Sequence, residues 1–258
     1  MKTKITGETL PVLEIGLEAG DKIVAEPGEF SWMTQTVTMN TTAMTAGAKG
    51  IFGVLGRALS GGGLFMTEFT APAGPGLVAF AAKVPGRIME VAVSPGQSYL
   101  IHRHGFVCAT EGVELAMGFQ RSLGAGVFGG DGFIMQKLSG NCTAWVELGG
   151  EVISYDLAAG ETIQAHPGHV GMFSESINFD VTLLPGISNM FFGGDGVFVA
   201  RLTGPGKVWL QSLTLPNLAH AISPYLGGRE AQQQPINQAN IASGIAGSVL
   251  GNLFGNNR

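Results

Sequence analysis

Three stretches of this chain can be laid on one another: VLEIGLEAGD at 12–21, IMEVAVSPGQ at 88–97 and VISYDLAAGE at 152–161. Each is an apolar strand pattern ending in a turn with glycine at the same place, Gly20, Gly96 or Gly160. Each runs on into a second strand: KIVAEPGEF (22–30), SYLIHRHGF (98–106) or TIQAHPGHV (162–170). A third strand aligns Val37 with Val113 and Ile177, then Met39 with Leu115 and Phe179. A glycine-led strand follows in FGGDGFIMQKLSG (128–140) and FGGDGVFVARLTG (192–204), and Gly132 and Gly196 align with Gly63 of SGGGLFMTEFT. The last strand carries Trp145 and Trp209, with Ala79 in the first copy. Gly96 to Gly132 and Gly160 to Gly196 each span 36 residues, while Gly20 to Gly63 spans 43, so the first copy holds a longer loop within 47–63.

Internal repetition constrains a fold more than any single motif does. Each copy offers about five short strands with glycine turns at regular spacing, which predicts an all-β chain. A unit that small buries too little surface alone, so the copies pack on one another. Period-two alternation gives the second strand an apolar face of Ile23/Ala25, Tyr99/Ile101 and Ile163/Ala165. Its opposite face carries Val24/Glu26, Leu100/His102 and Gln164/His166. The glycine-led strand is apolar on both faces at its start (Phe133 and Ile134, Val197 and Phe198), as expected inside a sandwich or an intersubunit sheet. Gly-Gly-Asp-Gly reads as a chain-reversing turn of residues that tolerate positive φ. As a phosphate loop it fails, because no helix follows and no Lys-Ser/Thr closes it.

The expected boundaries are a β-core at 1–215, with copies at about 8–87, 88–151 and 152–215. A short helix follows at 216–228, then a polar linker and Gly-rich tail at 229–258. In the tail, Ser243, Gly247, Gly251 and Gly255 recur every fourth residue beside Ile241, Ile245, Leu250, Leu253 and Phe254. Glycine makes an isolated helix there marginal. The segment 49–62, with Lys49 and Arg57 among apolar residues, suits an intersubunit or membrane-surface loop.

Only 13% of the 258 residues are charged while 45% are hydrophobic, so part of the surface is expected under a partner. A formal net charge of −5 argues against a nucleic-acid backbone as that partner. Cys108 and Cys142 are the only cysteines and read as reduced, buried thiols. No signal peptide, transit peptide or membrane-length apolar run is evident, so a cytoplasmic location is expected.

The sharpest catalytic candidate is GQSYLIHRHG (96–105), whose spaced histidines resemble the start of a cupin metal motif. On a strand His102 and His104 would share a face, as chelation requires. Glu111 comes too late for that pattern, and the repeat alignment puts it at a turn with Gln35 and Glu175. These histidines therefore read as solvent-facing or interface residues, with a cupin-like metal enzyme as a second alternative. No G-x-S-x-G elbow is present, so serine catalysis has no support. Glu68, Lys137 and Arg201 share one repeat position and are candidates for ion pairing across a copy or subunit seam. Trp145 and Trp209 are core or interface anchors.

The combined pattern LFMTEFTAPAGPGLVAFAAKVPGRI, GDGFIMQKLSG and FGGDGVFVARLTGPGKVWLQSL resembles the mitochondrial biogenesis family named for altered inheritance of mitochondria, over about residues 8–215. The resemblance implies three tandem antiparallel β-sandwich repeats of the kind seen in the tryptophan RNA-binding attenuation protein (TRAP), around a pseudo-threefold. It also implies a homotrimer that mimics a nine-membered ring. It brings no catalytic residue and no cofactor, and its mitochondrial members are linked to inner-membrane organisation. The resulting expectation is a non-enzymatic, self-assembling scaffold or adaptor, with a membrane surface or a protein as partner. The alternative is small-molecule binding at seams, where Trp145, Trp209, Thr34, Thr110 and Ser174 would be the lining.

Overall fold

Glycine punctuation sets the strand lengths. A computed structural model of the chain describes residues 1–44, 64–121, 133–183 and 198–225. Both Gly-Gly-Asp-Gly turns, the 49–62 segment and the 229–258 tail lie outside these residues. The described chain is nearly all β, with one short α-helix, α1 (Leu215–Ile222), and 3-10 turns at Pro167–His169 and Ser223–Tyr225.

The strands are β1 (Lys2–Thr6), β2 (Val12–Leu17), β3 (Lys22–Ala25), β4 (Trp32–Met33), β5 (Thr38–Met44), β6 (Leu64–Thr70) and β7 (Gly76–Ala81). Then come β8 (Gly86–Val93), β9 (Tyr99–His102), β10 (Phe106–Thr110), β11 (Val113–Arg121), β12 (Phe133–Gly140) and β13 (Cys142–Gly149). The last are β14 (Val152–Leu157), β15 (Thr162–Ala165), β16 (Val170–Ser174), β17 (Asn178–Leu183), β18 (Phe198–Thr203) and β19 (Gly206–Gln211). Each aligned segment therefore holds six strands, not five. The strand missing from the sequence reading is β4, β10 or β16, which begins after a turn inside what reads as one continuous strand.

All pairings are antiparallel and form four sheets. The first runs β1-β2-β7-β4, the second β5-β6-β3-β10-β13-β8, the third β11-β12-β9-β16-β19-β14 and the fourth β15-β18-β17. The second and third sheets have the same internal order, advanced by one segment. Each takes three strands from one segment (β5, β6, β3 or β11, β12, β9) and three from the next (β10, β13, β8 or β16, β19, β14).

Three apolar cores lie between successive sheets. Leu13, Ile15, Val78 and Phe80 of the first sheet meet Ile23, Phe69 and Trp145 of the second. Val24, Met66, Val146 and Leu148 of the second meet Tyr99, Ile101, Leu115 and Leu138 of the third. Leu100, Met135, Phe173 and Val208 of the third meet Val181, Ala200 and Leu202 of the fourth. The alternation read from the sequence is realised: Ile23 and Ala25 face one core and Val24 the next, so β3 is buried on both faces. β9 does the same with Tyr99/Ile101 and Leu100. In β15, Ile163 and Ala165 pack on the third core, but Gln164 is exposed.

Equivalent turns close with the same bonds. Asp21 N donates to Glu18 O (3.0 Å), Gln97 N to Ser94 O (2.9 Å) and Glu161 N to Ala158 O (3.0 Å). The glycines within them hold φ of +89°, +83° and +81° (Gly20, Gly96, Gly160), and an added Cβ would touch nothing within 4 Å. The glycine is needed for its backbone angle and not for space. Gly160→Ala is expected to lower unfolding free energy by about 1–2 kcal/mol, the cost of a left-handed conformation. Urea denaturation measures it, and an unchanged midpoint would mean that the turn readily rebuilds.

Candidate functional site

Two places concentrate chemistry: the seams where one segment's strands continue another's sheet, and a cavity to which all three segments contribute. At the first seam Cys108, Ala109 and Thr110 of β10 pair with Ala25, Val24 and Ile23 of β3. At the second, Met172, Phe173 and Ser174 of β16 pair with Ile101, Leu100 and Tyr99 of β9. A lysine bridges each. Lys22 Nζ reaches Glu68 (3.3 Å) and Glu111 (3.1 Å), and Lys137 pairs with Glu175. Within the chain Glu68 is paired with Lys22, where both it and Glu111 converge on one ammonium. Arg201 is exposed in the fourth sheet between Gln164 and Asp180. Such exposed pairs set register more than they stabilise.

The hydroxyls proposed as a seam lining bond within their own segments. Thr34 Oγ1 accepts from Leu77 N (2.9 Å), Thr110 Oγ1 from Thr143 N (3.0 Å) and Ser174 Oγ from Lys207 N (3.2 Å). Trp145 is buried in the first core. Trp209 is half-buried against the second, edge-to-face with Tyr99 at 5.9 Å and under Lys207 at 5.4 Å.

The cavity measures ≈ 500 Å³ and is walled by the β9–β10 turn, the start of β12, the ends of β13 and β19, and the start of α1. His102 and His104 both line it, yet not as a chelating pair. β9 ends at His102, and Gly105 N closes a turn onto His102 O (2.8 Å), so the two histidines do not alternate along a strand. His102 turns inward, with its Nε2 3.2 Å from Glu147 O, and desolvation pushes its ring down to about 4. This corrects the solvent-facing expectation for His102; His104 is exposed. Among the described residues, no group of three or more His, Cys, Asp or Glu is placed to hold a metal ion. Cys108 is buried and Cys142 half-buried, and burial pushes both thiols up, Cys142 to about 11.

Beside the cavity sits a cluster that the sequence did not announce. Buried Glu147 accepts from Lys83 N (2.9 Å) and Val84 N (3.1 Å). Gln211, at the matching end of β19, accepts from Gly149 N (2.9 Å) and donates to Gly168 O (3.0 Å). Each side chain reaches back to hold the connection that leaves the preceding segment. Buried Glu29 pairs with Lys83, and Glu26 accepts from Gln136 Nε2 (2.7 Å). Desolvation raises all three carboxyls, Glu29 to about 7 despite Lys83. Only repeat register could have flagged Glu147 and Gln211, which share a position two residues after the tryptophans.

Comparison with known proteins follows the same geometry. The family model "Mitochondrial biogenesis AIM24" matches residues 3–213. An uncharacterised protein of Streptococcus pyogenes serotype M6 is 29% identical over 221 residues, covering 84% of this chain and 87% of its own length. A crystal structure of a Streptococcus pyogenes protein aligns with a TM-score of 0.69 at 24% identity, over 87% of this chain and 99% of that one. It shares the fold.

The cluster gives a pH signature. The Glu29 carboxyl is raised in the folded state from 4.5 to about 7, so its contribution is full below 4.5 and lost as pH rises through 7. His102 acts oppositely: its lowered value costs stability as pH falls from 6.5 towards 4. Glu29→Gln isolates the first effect. The melting temperature of the variant, relative to the parent, is expected to rise between pH 5 and pH 8, corresponding to at most about 3 kcal/mol. A difference independent of pH would show that Glu29 is not held protonated.

Proposed function

Because this chain belongs to the mitochondrial biogenesis AIM24 family, whose curated relative here is uncharacterised, we propose its role from its open edges: it is a non-enzymatic scaffold or adaptor that assembles as a homotrimer. One observation carries the reading. The fourth sheet is β15-β18-β17 and the first contains β2-β7-β4, so each holds one half of the six-strand order that the middle sheets hold complete. β15 ends the fourth sheet where β3 and β9 continue, and β4 ends the first where β10 and β16 continue.

Joining β15 of one subunit to β4 of the next completes the six-strand order as β17-β18-β15-β4-β7-β2, with β1 added at its edge. By the register of the internal seams, Trp32 lies opposite Ala165, Met33 opposite Gln164 and Thr34 opposite Ile163 of the neighbour. Exposed apolar side chains support the join: Phe30 is 38% exposed, Trp32 46% and Met39 50%, whereas Leu115, aligned with Met39, is buried. Three such joins close a TRAP-like ring of nine repeats with pseudo-threefold chains. Arg201 then lies beside Gln35 of the neighbour, where Lys137 meets Glu175 within the chain. Nucleic acid is not the expected partner, since Glu68 interrupts Lys137 and Arg201 at one repeat position and no basic ladder forms. Among the described residues no helix is long and apolar enough to cross a membrane. Action in the cytoplasm, at a membrane surface or on a protein partner, fits this reading.

Light scattering on the purified chain is expected to give three times 26.7 kDa. Trp32→Glu places a charge on a side chain already exposed within one chain. It is expected to yield a folded species of single-chain mass with unchanged far-UV circular dichroism. A parent protein that is monomeric at micromolar concentration sinks the assembly.

A further inference from the structure

The cavity beside the polar cluster belongs to one subunit, so what it binds can be argued apart from the ring. Its ≈ 500 Å³ lies within the usual range for small-molecule sites. Its lining divides by chemistry. The accessible apolar wall is Val84, Ile134 and Leu213, continued by Leu215 and Ala219 of α1, over the buried Phe133 and Val170. The polar side brings together Lys83, Arg103, His102 and His104. Among the described lining residues Glu147 is the one carboxylate, and its Oε1 already accepts from two backbone N–H groups. Lys83 is asymmetric: its side chain is 47% exposed, while its partner Glu29 is 3% exposed. The ammonium is anchored from behind and retains an accessible side. Leu215 is 45% exposed although it sits on the apolar wall.

We propose that this cavity binds a single-chain anionic amphiphile, its carboxylate or phosphate head at Lys83, Arg103 and His104 and its alkyl chain along Ile134, Leu213 and Leu215. A neutral hydrophobe would bring no opposite charge to the exposed side of the Lys83 ammonium. A cationic amphiphile would meet two or three positive side chains. An anion matches both halves of the lining: charge-assisted hydrogen bonds at the mouth and apolar burial within.

Isothermal titration of the full-length protein with dodecanoate, dodecyl phosphate and dodecyltrimethylammonium, each below its micelle concentration, tests this. Saturable binding of one anion per chain is expected, with the cation at least about tenfold weaker. Carboxylate and phosphate heads are separated by which of the two anions binds tighter. Arg103→Glu is expected to weaken anion binding about tenfold, the scale of one charged hydrogen bond, and Arg103→Lys to restore most of it. Ala219→Trp, at an exposed helix position, is expected to abolish binding by filling the cavity while the melting temperature and the solution mass stay unchanged. Absence of binding, equal affinity for cation and anion, or full binding by Ala219→Trp overturns the proposal. None of these outcomes depends on whether the subunits form a ring, because solution mass is read separately.

Discussion

No segment of this chain completes its own sheet. β3 needs β10 and β9 needs β16, and the rest of the architecture follows from that dependence. An unpaired edge strand leaves a row of backbone donors and acceptors facing water. Pairing the next segment onto that edge satisfies them and also stacks the following sheet over the same apolar residues. Hydrogen bonding and hydrophobic burial are thus delivered by a single step. The result is a strand such as β3, with Ile23 and Ala25 in one core and Val24 in another. A strand buried on both faces cannot shift by one residue without exchanging its two cores, so register is tightly specified.

The buried polar groups work within that frame. Taking Glu147 and Gln211 out of water is costly unless their hydrogen bonds are made. Each bonds to backbone at the junction between segments, where the chain leaves one sheet and enters another. His102 and His169 do comparable work: His102 Nε2 lies 3.2 Å from Glu147 O, and His169 Nδ1 lies 2.7 Å from Gln211 O. A junction fixed by side chain and ring leaves little freedom in how successive sheets stack. It also fixes one side of the cavity wall, where the Glu147 carboxylate is engaged by the backbone N–H groups of Lys83 and Val84.

Much of this was legible in the residues, and the failures have definite causes. Alternation and glycine spacing revealed the all-β class, the faces of β3, β9 and β15, and the turns at Gly20, Gly96 and Gly160. The seam strands β4, β10 and β16 were not legible, because KIVAEPGEF and its equivalents read as one strand, while Pro27 and Gly28 mark a turn within it. The inward turn of His102 was not legible, because alternation was carried past the turn that ends β9. The Glu29–Lys83 and Glu147 contacts join residues 54 to 64 positions apart, a distance over which a single sequence carries no contact signal. Met39 aligned with buried Leu115 yet is exposed, since alignment conveys a position and not what covers it.

The tryptophans extend that last point. Trp145 pairs across the ladder with Cys108, and Trp209 with Met172. In the first segment the matching pair is Ala79 and Trp32, so the indole sits on β4 instead of β7. Cross-strand partners share a face, and each of these pairs combines one indole with one smaller side chain. Moving the large group across the ladder keeps the pair's volume, the kind of exchange a packed site tolerates best. Its position changes, however. On β13 and β19 the indole stands one strand inside its sheet, covered by residues of its own chain. On β4 it stands at the edge and is 46% exposed. If the first segment needed to be covered only from within, nothing would favour the large residue on the outer strand. In the proposed assembly a neighbour's β15 laid against β4 would supply the missing flank and would place the small Ala165 opposite Trp32, where a bulky residue would crowd the ring.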